Sequence, residues 1–198
     1  MIYAVAIYGS PRRGGNSDLL LDSFVKGLEK ANAKVDRIYA SEANVAPCDS
    51  KRECESSGLC CIKDDMQKIY KQFLEADLIV LSTPIYFYAM TAQAKTVIDR
   101  CQSVWSQKYL LKKETRLNKA KEKWGFLLCT AGAKGGQKLF DGAILTMKFF
   151  LDAYGAVYKG EIGVRGVDKK GEIADKFPEA IQQAYEKGIE LVEGMENL

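Results

Sequence analysis

At its start the chain runs from a short apolar stretch, Ile2 to Tyr8, into a glycine-rich turn, Gly9-Ser10-Pro11-Arg12-Arg13-Gly14-Gly15-Asn16-Ser17. Beyond the turn, Leu20, Leu21, Phe24, Val25 and Leu28 recur at helical spacing. The apolar run reads as a buried parallel strand and the spaced residues as one face of an amphipathic helix. A strand passed through such a turn into a helix leaves backbone N–H groups unpaired at the positive end of the helix dipole, a place that can hold a phosphate. Ser10, Asn16 and Ser17 add neutral donors there and Arg12 adds a cation. The loop therefore suits a small anionic head group.

The same alternation continues along the chain. Apolar runs at Ile2–Tyr8, Val35–Tyr39, Leu78–Ser82, Gly125–Cys129 and Ala156–Gly160 are separated by helical patterns near 17–31, 65–75, 91–104 and 137–154, and a last amphipathic helix is expected over 178–195. Strands alternating with helices imply βαβ units and a parallel sheet covered on both faces. Five strands at this spacing predict an α/β, doubly wound, flavodoxin-like sheet of order 2-1-3-4-5, with ligands at the carboxyl ends of strands 1, 3 and 4. A chain of 198 residues that is 47% hydrophobic suits one domain over 1–198. Two stretches exceed ordinary loop length: a cysteine-bearing insertion at 41–63 and a Lys-rich excursion at 105–123.

Composition narrows the partners. A net charge of +3 gives no case for a nucleic-acid binder, and no apolar run reaches the ~18 residues of a membrane span. No basic region precedes the first apolar run, so no signal peptide is expected. Six cysteines are too few for a disulfide scaffold, which points to reduced thiols and a cytoplasmic setting. The chain has no histidine, which excludes Ser-His-Asp, Cys-His and His-metal chemistry.

If the fold is right, the loops after strands 1, 3 and 4 form one site. The second of them, Ser82-Thr83-Pro84-Ile85-Tyr86-Phe87-Tyr88, has a proline to fix the turn and three aromatics against which a flat ring could pack. The third, Thr130-Ala131-Gly132-Ala133-Lys134-Gly135-Gly136, is small enough for a ligand to approach the backbone. Each loop alone could be only a turn, a patch of core aromatics or a helix cap. Together, a phosphate cradle, an aromatic wall and a glycine floor describe a site for a phosphorylated planar cofactor, and FMN fits best.

Gly9-Ser-Pro-Arg followed by Gly-Asn-Ser, then Thr83-Pro-Ile-Tyr-Phe-Tyr, Ala92-Gln-Ala-Lys and Ile98-Asp-Arg, resembles the NADPH-dependent FMN reductase family, and within it the iron–sulfur flavoprotein branch. The resemblance spans about residues 2–160. It implies bound FMN and electron transfer from a reduced nicotinamide or another donor. Carried over by position, Ser10, Arg12, Asn16 and Ser17 hold the FMN phosphate; Pro84, Ile85, Tyr86 and Phe87 border the isoalloxazine; and Thr130, Ala131 and Gly132 face its other edge. No side chain is assigned a catalytic role, because the flavin does the redox chemistry.

The branch with a cluster also carries four spaced cysteines, the last just before an Asp-Asp-Met helix start. Here Cys48, Cys54 and Cys60 match three of those positions, and Lys51 stands at the other. An ammonium cannot replace a thiolate on iron. Cys61 lies beside Cys60, yet adjacent cysteines reach two irons of one cluster only with backbone strain. A [4Fe–4S] cluster on Cys48, Cys54, Cys60 and Cys61 is thus not expected, and zinc, a redox-active thiol pair or a relic loop are the alternatives. Cys101 and Cys129 read as buried spacers.

The stretch 105–123 carries Lys108, Lys112, Lys113, Arg116, Lys119, Lys121 and Lys123 among aromatics. It is either a basic flap that attracts a nicotinamide phosphate or anionic quinone, or a solvated loop. The reading as a whole is an FMN-dependent oxidoreductase that passes electrons from NAD(P)H to a quinone, free flavin, metal ion or protein partner. The alternative is an FMN-containing electron carrier without a nicotinamide site. Apolar residues around Tyr86, Phe87, Tyr88 and Met90 predict a homodimer or homotetramer.

Overall fold

A computed structural model describes residues 1–115 and 122–197. In chain order the elements are β1 (Tyr3–Tyr8), α1 (Asn16–Lys30), β2 (Lys34–Tyr39), α2 (Cys54–Ser57), α3 (Met66–Glu75), β3 (Leu78–Pro84), α4 (Ala92–Arg100), α5 (Gln102–Tyr109), β4 (Lys123–Ala131), α6 (Asp141–Ala153), β5 (Ala156–Arg165), α7 (Glu172–Lys176) and α8 (Pro178–Glu196). The strands form one sheet of order β2-β1-β3-β4-β5, parallel throughout, as the spacing predicts.

Side chains alternate across a strand, so each central strand feeds two cores. Ala4, Ala6 and Tyr8 of β1, with Phe126 and Leu128 of β4, pack under α1 and α8 through Leu20, Leu21, Phe24, Leu191 and Val192. Val5, Ile7, Ile79, Leu81 and Leu127 face the other way, onto Met66 and Phe73 of α3, Val97 of α4, Val104 of α5 and Met147, Phe150 and Leu151 of α6. Full burial of an aromatic such as Phe24, which stacks on Phe126 at 5.3 Å, contributes about 1.5–3 kcal/mol. Where α1 crosses α8, Gly27 and Gly188 let the two backbones touch. A Cβ on Gly27 would lie 2.0 Å from the Tyr185 carbonyl oxygen, and one on Gly188 would lie 2.3 Å from that of Phe24.

Several elements differ from the sequence reading. The helical pattern over 91–104 is two helices, α4 and α5, broken at Cys101 (φ −73°, ψ 2°), whose N–H turns back to the Ile98 carbonyl. Arg100, the last residue of α4 before the break, has its side chain in the interior. The start of the Lys-rich stretch, up to Tyr109, belongs to α5, and Lys108 pairs with Asp152 at 2.9 Å. Lys123 opens β4 and is buried, with its ammonium donating to the carbonyls of Phe73 (2.6 Å) and Leu74 (2.9 Å) at the end of α3. A cation there complements the negative end of the α3 dipole. Arg116, Lys119 and Lys121 lie outside the described residues. Among the described residues, no helix is long and apolar enough to cross a membrane.

Candidate functional site

The carboxyl ends of β1, β3 and β4 meet at a cleft. Gly9 is the point of closest approach: its N–H donates to the Ser82 carbonyl at 2.7 Å, and a Cβ on it would lie 2.7 Å from that same oxygen. The loop beyond it is folded by its own side chains. Ser10 Oγ accepts from the Arg12 N–H (3.0 Å), and Gly14, at φ +63°, directs its N–H to Asp18 Oδ2 (2.9 Å). The start of α1 is then left as a set of free donors. Among the described residues, the N–H groups of Asn16, Ser17 and Asp18 meet no acceptor, and the Ser17 hydroxyl, on a residue 1% exposed, has no partner.

Arg12, Asn16 and Asp18 have local engagements. Asn16 Nδ2 donates to the Lys169 carbonyl (3.0 Å) and its Oδ1 accepts from the Ile173 N–H (3.1 Å), so the side chain fastens the loop after β5. What Asn16 presents to the cleft is its backbone. Arg12 Nη1 donates to the Asp168 carbonyl at 3.3 Å. Asp18 is buried beneath the loop, and burial pushes its carboxyl up to about 6 against the opposing pull of the Gly14 N–H. Its Oδ1 is without a partner.

The second and third loops are tied to one another. The Ile85 N–H donates to the Thr130 carbonyl at 2.8 Å. Tyr86 and Ala89 then pair as an antiparallel bridge around Phe87 and Tyr88, both in the left-handed region at φ 49° and 63°. Aromatic residues adopt that conformation only at a cost. The turn throws Phe87 wholly into solvent, 103% exposed, and out of the cleft. Ser10, Arg12, Asn16, Ser17, Pro84, Ile85, Tyr86, Thr130, Ala131 and Gly132 all line it. Thr130 is buried with its hydroxyl unpartnered, a further donor toward the cavity.

The sequence reading does not include Gly15, Val167 or Asp168, which also line the cleft. The last two belong to the loop that follows β5. The signal for that loop is local: Gly166 and Gly171 both take positive φ, and Glu172 Oε2 accepts from the N–H groups of Asp168 (2.8 Å) and Lys169 (3.1 Å). A carboxylate between two glycine turns is readable as a cap, although nothing in it points to the distant phosphate loop.

The cysteines lie apart from this cleft. Cys48 and Cys54 line a separate cavity with Asp99 and Gln102, which Cys60 and Cys61 do not reach. Cys60 Sγ accepts from Arg100 Nη2 at 3.4 Å, and Cys54 Sγ lies 3.9 Å from the Ser106 hydroxyl. Lys51 pairs with Asp49 at 2.9 Å in solvent. Among the described residues, no three Cys, Asp or Glu side chains converge as metal ligands do. Cys101 and Cys129 are buried, and burial pushes both thiols up.

Known proteins carry the same pattern. The family model for NADPH-dependent FMN reductases matches residues 2–155. An iron-sulfur flavoprotein of Archaeoglobus fulgidus is 29% identical over 192 residues, covering 92% of this chain and 81% of that one. An iron-sulfur flavoprotein of Methanosarcina thermophila is 26% identical over 155 residues, covering 78% and 75%. Among solved structures, the NAD(P)H:quinone oxidoreductase of Methanothermobacter marburgensis superposes with a TM-score of 0.70 at 18% identity, covering 96% of each chain. With a five-stranded sheet in the flavodoxin-like order and a matching family model over most of its length, the chain belongs to the NADPH-dependent FMN reductase family, a family of oxidoreductases.

Proposed function

We propose that the cleft holds FMN, that NAD(P)H reduces it, and that electrons leave to a small acceptor such as a quinone, free flavin or metal ion, or to a redox protein. The observation that carries this reading is the convergence of three loops, far apart in sequence, on one cavity that offers unpartnered donors at one end and a tyrosine at the other. Bound FMN supplies the hydride and electron chemistry. The chain's own work is to bind and to shield. The N–H groups at the start of α1 and the Ser17 hydroxyl would take the phosphate, while Pro84, Ile85 and Tyr86 would border the ring and the 130–132 backbone would face its other edge.

The cleft is about 190 Å³, below the roughly 300–1,000 Å³ of pockets that enclose a ligand of drug size. It matches the phosphate and polyol end, and leaves the ring to rest at the mouth beside Tyr86, Phe87 and Tyr88, each at least 47% exposed. Apolar surface of this kind favours a second copy of the chain as cover, in a dimer or tetramer. The cysteine loop contributes no cluster in this reading.

One observation favours the electron-carrier alternative. Lys108 and Lys123 are engaged with Asp152 and with the end of α3, which leaves less free basic charge for a nicotinamide phosphate. An anaerobic visible spectrum separates the two readings. Purified protein should show flavin bands that NADPH or NADH bleaches. Bleaching by dithionite but by neither nucleotide makes it a carrier, and a colourless protein that takes up no FMN removes both.

A further inference from the structure

The loop 166–171 lies beyond residue 155, where the family match ends, yet Val167 and Asp168 of it line the cleft. It is fixed from four sides. Arg12 and Asn16 hold the carbonyls of Asp168 and Lys169, and Glu172 holds their N–H groups. The Gly166 and Val167 N–H groups donate to the carbonyls of Ala133 (3.2 Å) and Ala131 (3.0 Å) in the loop after β4. A segment held this way presents its side chains in set directions. Asp168 lines the cleft against the glycine floor: a Cβ on Gly132 would meet its Cβ and Oδ1 at 3.3 Å. Lys170, which is not itself a lining residue, stands beside the phosphate loop. A Cβ on Gly14, in the phosphate loop, would meet Lys170 Cε at 3.5 Å and Nζ at 3.8 Å. Among the described residues, Lys170 makes no ion pair within 4 Å, although its charge reaches the Asp18 carboxyl, whereas Arg13 is drawn away to Glu42 at 3.0 Å. Ser17, which lines the cleft at the start of α1, keeps its hydroxyl without a partner among the described residues.

We propose that this loop is a fourth wall of the flavin site, in which Lys170 supplies the counter-charge to the 5′-phosphate and the Asp168 carboxylate accepts from a hydroxyl of the polyol chain. The proposal rests on the FMN reading above. Its chemistry is specific: an ammonium beside a cradle of neutral donors favours a phosphate dianion over an uncharged alcohol. Lys170 thereby sets the preference for FMN over riboflavin. Asp168 contributes equally to both, since both carry the polyol.

The test uses full-length apoprotein titrated with FMN and with riboflavin, at low and high salt, for the wild type, Lys170→Gln and Asp168→Ala. Both side chains are exposed, so neither change threatens the fold. In low salt, Lys170→Gln should bind FMN about tenfold more weakly and riboflavin as before, and the deficit should shrink as salt screens the charge. Asp168→Ala should weaken both flavins alike. Unchanged FMN binding by Lys170→Gln, or an equal loss for both flavins, overturns the role of Lys170. Unchanged binding of both flavins by Asp168→Ala overturns that of Asp168. A wild type that binds neither flavin overturns the FMN reading and this proposal with it, whereas a wild type that binds FMN normally beside an indifferent Lys170→Gln overturns this proposal alone.

Discussion

Arg100 grips Asp64 with two nearly parallel hydrogen bonds, Nη1 to Oδ2 at 2.6 Å and Nη2 to Oδ1 at 3.2 Å, and both side chains are almost closed to solvent. The same guanidinium donates to the Ala46 carbonyl (2.7 Å) and touches Cys60, so one residue of α4 fastens both ends of the cysteine loop. Removing one partner of a buried pair leaves an uncompensated charge, at a cost of about 3–5 kcal/mol. Arg100→Met and Asp64→Leu should each lower the urea midpoint sharply. The double variant should recover much of the loss in a double-mutant cycle, and strict additivity would show that the pair is not coupled.

The pH dependence of that pair follows from its geometry. Burial alone would raise the Asp64 carboxyl, but hydrogen bonds from Arg100 and from the Ala46 and Met66 N–H groups take it below the usual carboxylate value. A depressed carboxyl contributes stability above its unfolded pKa and loses it as pH falls through the folded one. Acid unfolding of Arg100→Met should therefore be shallower than that of the wild type.

Asp18 should behave oppositely. Its carboxyl, pushed up to about 6 by burial, binds a proton more readily in the folded chain than in the unfolded one. Stability should thus decline as pH rises from about 4 to 6 and remain lower above that window. The slope should vanish in Asp18→Asn. A variant that keeps the wild-type slope would assign it to another group.

At the crossing of α1 and α8 there is no room for a methyl group. Gly27→Ala and Gly188→Ala should each cost at least the roughly 1–3 kcal/mol typical of overpacking, because the obstruction is backbone. Chemical denaturation beside the exposed control Lys26→Ala measures it. Equal midpoints would mean the helices part easily.

In the cleft, Ser17→Ala should weaken FMN binding by about 1.5–3 kcal/mol, the range of a hydrogen bond to a charged group, without a change in melting temperature. Asn16→Ala should lower both, because its amide holds the 169–173 backbone. A melting temperature unmoved by Asn16→Ala would return that amide to the ligand.

Iron and acid-labile sulfide, measured on anaerobically purified protein, test the cysteine loop. The wild type should carry no stoichiometric iron, and near-stoichiometric iron would reverse that expectation. Iron gained only by Lys51→Cys would identify position 51 as the missing ligand.

Much of this was legible because it depends on period and local turn chemistry. The three central strands appear as apolar runs, and the Gly9 turn, Pro84 and Gly132 mark where those runs must stop. The edge strands β2 and β5 instead carry Asp36, Arg37, Lys159 and Glu161 among their apolar residues. What sequence hid was tertiary. Lys123 reads as one charge among seven until the end of α3 is seen above it. Phe87 reads as a lining residue of the cleft until its left-handed backbone turns it outward, to the mouth. Asn16 reads as a phosphate donor because its partners, Lys169 and Ile173, come from the far end of the chain. The break at Cys101 is similarly silent, since both halves keep helical spacing.

The register of the sheet has one more consequence. Pro84 and Thr130 are direct partners across β3 and β4, and Tyr8 is level with Ser82 across β1 and β3. The loops after β3 and β4 start as ledges of one height, while the phosphate loop leaves β1 two residues lower, at the level of Ser82. A residue inserted into β4 alone would raise its ledge by about 3.3 Å and turn every following side chain to the opposite face. Length variation in this chain is thus tolerable beyond the ledges and forbidden below them.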